Sequence, residues 1–263
     1  MKLPDVAKLN EAQKLLYEHD IKEYHARSGD LTAESYRRRF WLMYNTMVGI
    51  LSPGARILDI GVAQGNLSLL LAEAGFEVVA IDLRSEFLEY ARKKYEKGTI
   101  FFQTMSFEDM QFQEEFDAVI LGEIIEHVAY PEDLLQRCRL SLKAEGLLLL
   151  STPNGQAVMS RLPTFSQITD RKELEKHQFK PDGDGHLFLF RGSELDRVLR
   201  ESGFEPFQTI YLRSPFLSGK FKVRYLARLL PWPVVDLLDK AIIALPGIKK
   251  LFSAGLVCLA RKR

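Results

Sequence analysis

Residues 55–66 read Ala-Arg-Ile-Leu-Asp-Ile-Gly-Val-Ala-Gln-Gly-Asn, and this stretch decides the fold. Ile57, Leu58 and Ile60 form an apolar run that predicts a buried strand, and Gly61 and Gly65 bracket a tight turn. Leu67, Leu70, Leu71 and Ala74 then recur at helical spacing until Gly75. Strand, glycine turn and helix together bring backbone N–H groups and a helix N-terminus up to a ligand. Downstream, Glu77-Val-Val-Ala-Ile-Asp82 predicts a second strand ending in an acid. An acid at that point can accept hydrogen bonds from both hydroxyls of a ribose. The two elements agree on a cofactor that carries a nucleoside.

The glycine positions narrow the choice of cofactor. A dinucleotide fingerprint needs glycine at its first, third and sixth positions, which here are Gly61, Ala63 and Asn66. A phosphate loop ending in Gly-Lys-Ser/Thr is also absent, because Asn66 follows Gly65. The chain has instead an acid, one residue, glycine, three residues and glycine: Asp59, Gly61 and Gly65. That pattern resembles motif I of the class I S-adenosylmethionine-dependent methyltransferases, which carry a further glycine where this chain has Ala63. The resemblance implies an α/β fold with a doubly wound, mostly parallel seven-stranded sheet whose last strand is reversed. It also implies S-adenosyl-L-methionine as the cofactor.

Composition bounds the rest. A chain of 263 residues predicts one domain with additions, and 46% hydrophobic residues supply ample core. Lys+Arg 36 against Asp+Glu 35 leaves a formal charge of +1, so no global field attracts nucleic acid and no DNA partner is expected. Cys138 and Cys258 lack metal-ligand spacing and read as buried thiols in a reducing compartment. Met-Lys-Leu-Pro-Asp lacks the apolar core of a signal peptide, and no stretch is long enough to span a bilayer. The expected location is cytoplasmic, either free or peripheral to the inner face of a membrane.

Residues 5–28 predict an amphipathic helix through Val6, Leu9, Leu16 and Ile21, broken at Ser28-Gly29-Asp30. A second helix, capped by Thr32 and running to about Leu51, carries an aromatic stripe of Tyr36, Phe40, Trp41 and Tyr44 flanked by Arg37, Arg38 and Arg39. Strands then alternate with helices: strands 55–60, 77–82, 100–104, 116–121 and 146–151, helices 66–74, 85–96 and 131–143. Such alternation predicts a parallel sheet covered on both faces. A helix at 193–203, a strand at 204–212 and a last strand at 256–260 suggest an antiparallel pair at one edge. The predicted organisation is N-terminal helices over the cleft at 1–52, a cofactor-binding core at 53–212 plus 254–263, and a basic amphipathic insertion at 213–253.

Open parallel sheets bind ligands beyond the carboxyl ends of their strands. The candidates are therefore Gly61 to Gly65, Asp82 and Leu83, then Ser106 and Phe107, then Gly122 and Glu123. By the resemblance Ser106 and Phe107 would meet the adenine, and Asp59, Ala63, Gly122 and Glu123 complete the cofactor set. After the fourth strand comes Leu121-Gly-Glu-Ile-Ile-Glu-His-Val128. As a helix it would gather Glu123, Glu126 and His127 on one face. Two carboxylates and an imidazole can act as a general base on a hydroxyl or hold a divalent metal. Glu-x-x-Glu-His resembles a segment of the ubiquinone-pathway O-methyltransferases and of the small-RNA 2′-O-methyltransferases. In those enzymes it supplies metal ligands, such as for Mg, together with a later histidine. His186 is that histidine here.

Residues 156–185 read as a lid, and His177 within them as a surface residue. Residues 214–252 interleave Lys220, Lys222, Arg224, Arg228, Lys240, Lys249 and Lys250 with Phe216, Phe221, Tyr225, Leu229 and Trp232. Such a segment suits an anionic membrane surface, the wall of a hydrophobic substrate pocket, or simple packing on the core. The favoured reading is methyl transfer to an oxygen of a small or lipid-linked molecule, with His127 as base, His186 second, and Glu123 and Glu126 orienting it or binding metal. The alternatives are a metal-dependent RNA 2′-O-methyltransferase and a non-catalytic cofactor-binding or membrane-docking protein.

Overall fold

The computed structural model describes residues 1–158, 160–178, 185–218 and 222–263. Two helices open the chain, α1 (Glu11–Glu23) and α2 (Leu31–Ile50). The first is shorter than its apolar spacing predicts. The Asn10 side chain accepts a hydrogen bond from the Gln13 amide while Gln13 reaches back to the Asn10 N–H, so this capping box starts the helix afresh. Residues Val6–Lys8 form only a short 3₁₀ turn before it. Asp30, rather than Thr32, caps α2, its carboxylate accepting from the amides of Thr32 and Ala33.

Then follow β1 (Arg56–Ile60), α3 (Asn66–Glu73), β2 (Glu77–Asp82), α4 (Ser85–Lys94), β3 (Thr99–Thr104), β4 (Phe116–Gly122), α5 (Pro131–Ser141) and β5 (Leu142–Pro153). The second half adds α6 (Arg171–Glu175), α7 (Gly192–Glu201), β6 (Phe204–Leu212), four short helices and β7 (Gly255–Lys262). The short helices are α8 (Pro215–Ser218), α9 (Val223–Ala227), α10 (Trp232–Ala244) and α11 (Ile248–Phe252).

The seven strands lie in the order β3-β2-β1-β4-β5-β7-β6. Strands β1 to β5 pair in parallel, and β7 runs antiparallel between β5 and β6. Alternate side chains of each strand leave opposite faces of the sheet. Leu58, Val119, Leu121, Leu148 and Leu150 pack under α5 and α7, while Ile57, Val78, Ala118, Ile120 and Leu149 pack under α2 and α3. Both faces are covered, which is why runs such as Leu147–Leu150 are apolar without alternation. Each buried leucine contributes roughly 1.5–3 kcal/mol relative to exposure.

Strand order reverses between β1 and β4, so their carboxyl ends splay apart and leave a crevice there. Gly61 and Gly122 stand at its two lips. The insertion between β6 and β7 packs on α2. Arg38 pairs with Asp236 and lies 3.7 Å from Asp239, whose carboxylate accepts the Ser214 amide at 2.7 Å. Leu31, Leu217, Ala227 and Val235 close the contact. Of the basic and aromatic residues read in this segment, Lys220 and Phe221 lie outside the described residues. Cys138 and Cys258 are free, buried thiols.

Candidate active site

The glycine turn is built as its sequence demands. Gly61 and Gly65 both adopt left-handed backbone, with φ of +74° and +76°. A Cβ on Gly61 would stand 2.1 Å from Ile124 Cδ1, and one on Gly65 would stand 2.5 Å from Ala91 Cβ. Ala63 also sits at positive φ, +48°, where a glycine would be unstrained. Its N–H donates to Asp82 Oδ2 at 3.2 Å, and Asp82 Oδ1 accepts the Arg84 amide at 3.0 Å. The acid at the tip of β2 is therefore tied directly to the turn, on the same side of the crevice. Burial pushes the Asp82 carboxyl up from its ordinary value, against the pull of those two amides. Asp59 accepts the Ser68 hydroxyl, and burial raises it to about 7.

Across the crevice, the segment after β4 is not the helix its spacing predicts. Glu123 takes left-handed backbone at φ +59°, its N–H donating to the Ser151 carbonyl at 3.0 Å. Only Ile125–His127 form a single 3₁₀ turn. The three side chains therefore do not share one face. Glu123 turns away, with Oε1 3.0 Å from Arg39 Nη1 and Oε2 3.9 Å from Arg213 Nη2. It does not join the group of ligand atoms formed by Glu126, His127 and His186.

Glu126, His127 and His186 do converge, with one ligand atom from each lying within 4.8 Å of the others. The two imidazole rings sit edge to face, their centroids 4.9 Å apart. Glu126 is fully buried; its Oε2 accepts the Thr152 hydroxyl at 3.0 Å, and its Oε1 has no hydrogen-bond partner. His186 Nε2 stands 3.8 Å from that same Oε1. The Leu187 amide donates to the Glu126 carbonyl at 2.9 Å, which fastens the segment carrying His186 to the turn. Burial lifts Glu126 to about 7, opposed by Arg39 and Arg213. Burial, then His127 and Arg213, lower His186 from its ordinary 6.5, so its imidazole is neutral at pH 7.

A cavity of about 330 Å³ is lined among others by Tyr36 and Arg39 of α2, Glu123, Arg213 and Ser218, with no residue of the turn or the cluster in its wall. A larger hollow of about 610 Å³ beside Glu205, Phe207 and Arg261 shares no residue with the turn or the cluster.

Comparison with known proteins decides the family. A methyltransferase-domain profile matches residues 33–209. The chain belongs to the class I S-adenosylmethionine-dependent methyltransferases. A ubiquinone biosynthesis O-methyltransferase of Xanthomonas axonopodis is 40% identical over 189 residues, covering 66% of this chain and 75% of that one. The corresponding Haemophilus ducreyi protein is 39% identical over 109 residues, covering 38% of this chain and 46% of that one. The match to the latter thus spans under half of its length.

Among solved structures, the magnesium protoporphyrin IX methyltransferase of Synechocystis, with S-adenosylhomocysteine bound, superposes with a TM-score of 0.59 at 15% identity, covering 97% of this chain and 96% of that one. A methyltransferase of Archaeoglobus fulgidus gives 0.57 at 18% identity, covering 94% and 99%. At these identities the likeness is one of fold.

In this methyltransferase the other expected residues fall as follows. Leu83 is half-exposed at the crevice side of β2. Ser106 Oγ accepts the Glu108 amide at 3.3 Å, and Phe107 belongs to the buried core with Met110. His177 Nε2 lies 3.7 Å from Glu173 Oε1. Residues 179–184, the Gly/Asp-rich end of the expected lid, lie outside the described residues. Sequence reading did not find Arg39 and Arg213 as site residues. The helical period through Tyr36, Phe40 and Met43 marks the inner face of α2 and could have found Arg39; no local signal marks Arg213.

The orphaned carboxylate makes a stability prediction. Glu126 rises from 4.5 in the unfolded chain to about 7 in the fold, so its contribution is present below pH 4.5 and is lost as pH rises through 7. At 1.36 kcal/mol per unit, the shift lowers stability by about 3 kcal/mol at pH 8.5 and by about 1 kcal/mol at pH 5.5. Glu126→Gln is therefore expected to melt higher than the native protein, by a margin larger at pH 8.5 than at pH 5.5. An equal margin at both pH values contradicts the buried-acid account.

Proposed function

We propose that this methyltransferase moves the methyl group of S-adenosylmethionine onto a hydroxyl oxygen of a small or lipid-linked molecule, using the histidine pair as base. The observation that carries this reading is the Glu126, His127 and His186 cluster, placed across the crevice from the glycine turn and Asp82. The name of its relatives, ubiquinone biosynthesis O-methyltransferases, supports oxygen as the acceptor atom. The turn and Asp82 would hold the adenosine half of the cofactor. When bound, the cofactor would supply a methyl group activated on a sulfonium, whose sulfur would keep the bonding pair as the methyl carbon passes to the acceptor oxygen. The hydroxyl proton passes to an imidazole. His186 is suited to take it, because burial keeps the ring neutral and Glu126 Oε1 lies 3.8 Å from its Nε2. The protein's remaining task is alignment and exclusion of water, which the N-terminal helices would serve by covering the crevice.

The same three side chains also fit a divalent cation, and the unpartnered Glu126 Oε1 favours that addition. Two imidazoles and one carboxylate suit a borderline transition metal better than Mg, which prefers oxygen ligands. Such an ion, when bound, would lower the pKa of an acceptor hydroxyl.

A lipid-linked acceptor is supported by the insertion. Among the described residues no helix is long and apolar enough to cross a membrane. Yet Tyr225, Leu229 and Leu237 are 68%, 80% and 66% exposed, with Arg228, Lys240 and Lys250 exposed among them. Exposed apolar side chains on a segment that also carries exposed cations suit an anionic bilayer surface. Leu229→Glu/Leu237→Glu is expected to abolish flotation with phosphatidylglycerol vesicles; undiminished flotation places the contact elsewhere.

The function is tested with methyl-labelled S-adenosylmethionine and separated lipid, small-molecule, RNA and protein fractions of a cell extract. Label is expected as an O-methyl group in the lipid or small-molecule fraction. Label confined to RNA or protein contradicts the reading, and loss of transfer on chelation assigns the metal.

A further inference from the structure

Beside the glycine turn lies a buried charge pair that the chemistry above does not use. Asp20 of α1 and Lys94 of α4 are both fully enclosed, and Asn66, the first residue of α3, is 3% exposed. The Lys94 ammonium donates to Asp20 Oδ2, to the Gln64 carbonyl at 3.1 Å and to Asn66 Oδ1, so all three of its donors are used. Asn66 Nδ2 donates to Asp20 Oδ1 at 2.8 Å, and the Tyr90 hydroxyl donates to Asp20 Oδ2 at 3.0 Å. Burial lowers the Lys94 pKa, with Asp20 opposing the shift.

A buried ion pair is a poor way to gain stability, because well-packed apolar residues of similar volume usually do as well or better. What it supplies is fixed geometry. Its two contacts in the turn, Gln64 and Asn66, flank Gly65, the left-handed residue that precedes α3. Its anion comes from a helix that contributes no residue to the turn. We infer that Lys94 is a positioning residue that locks the cofactor turn to α1, so that binding of the cofactor and seating of the N-terminal helix are one coupled equilibrium. The inference rests on the reading of the turn as the cofactor cradle. Coupling of this kind is reciprocal: what orders the turn must order α1, and what loosens α1 must weaken the cofactor.

The test is hydrogen–deuterium exchange with and without S-adenosylhomocysteine, on the native protein and on Asp20→Leu/Lys94→Met, with binding followed by calorimetry. In the native protein the ligand is expected to slow exchange of amides 16–23 at least five-fold. The apolar pair should melt cooperatively, since no charge is left unpaired, yet bind S-adenosylhomocysteine about ten-fold more weakly and lose the protection of α1. A merely structural pair predicts native affinity in that variant, and that result overturns the inference. Native protein that binds the ligand without protecting 16–23 overturns it as well, and this arm stands even if the variant fails to fold. Protection retained in a folded variant assigns it to direct contact and also contradicts the lock. Failure of native protein to bind the ligand at all is a different outcome, which removes the cofactor reading itself.

Discussion

Asp82→Ala is expected to weaken S-adenosylhomocysteine binding at least a hundred-fold by calorimetry, with the melting transition still cooperative. The carboxylate ends β2 at the lip of the crevice, and it already accepts two backbone amides, from Ala63 and Arg84. A hydrogen bond to a charged acceptor is worth about 1.5–3 kcal/mol, so losing those to two ribose hydroxyls removes about 3–6 kcal/mol. The variant also releases Ala63, whose left-handed backbone is held by Asp82. Asp82→Asn keeps one acceptor oxygen and should fall between native and alanine. An unchanged affinity in the alanine variant removes Asp82 from the site.

His186→Ala is expected to lower kcat by about 10²–10⁴-fold while leaving S-adenosylhomocysteine affinity within about two-fold, because a positioned base contributes that much and is not used for cofactor binding. His127→Ala should act in the same direction, since the rings touch edge to face. Burial, His127 and Arg213 all disfavour the imidazolium of His186. The native rate should therefore hold as pH falls to 6.5 and decline below it, once the ring takes up a proton. That acid limb should be missing from the residual rate of His186→Ala. A residual rate with an unshifted acid limb assigns the proton transfer to another group.

These two sites were legible to different degrees, for physical reasons. Gly61, Gly65 and Asp82 could be read because a tight turn and a strand end are local: spacing alone fixes which backbone N–H groups face the crevice. Glu126, His127 and His186 were legible as chemistry but not as shape. The helical reading of Glu123 fails because its amide is claimed by the Ser151 carbonyl of β5, which forces left-handed backbone and sends the carboxylate to Arg39. Arg213 depends on where β6 ends beside β7, which no short window contains. Asp20 and Lys94 resemble solvated charges on amphipathic helices. Only the packing of α1 against α4 reveals that both are buried. The parallel sheet was readable because apolar runs separated by helices leave few alternatives to it.

The most direct test is a crystal structure with S-adenosylhomocysteine at saturation. The ribose hydroxyls are expected on Asp82, with the turn from Gly61 to Gly65 against the rest of the ligand and its sulfur opening toward Glu126, His127 and His186. A ligand bound with its ribose away from Asp82, or a crevice that stays empty at saturating concentration, contradicts the account.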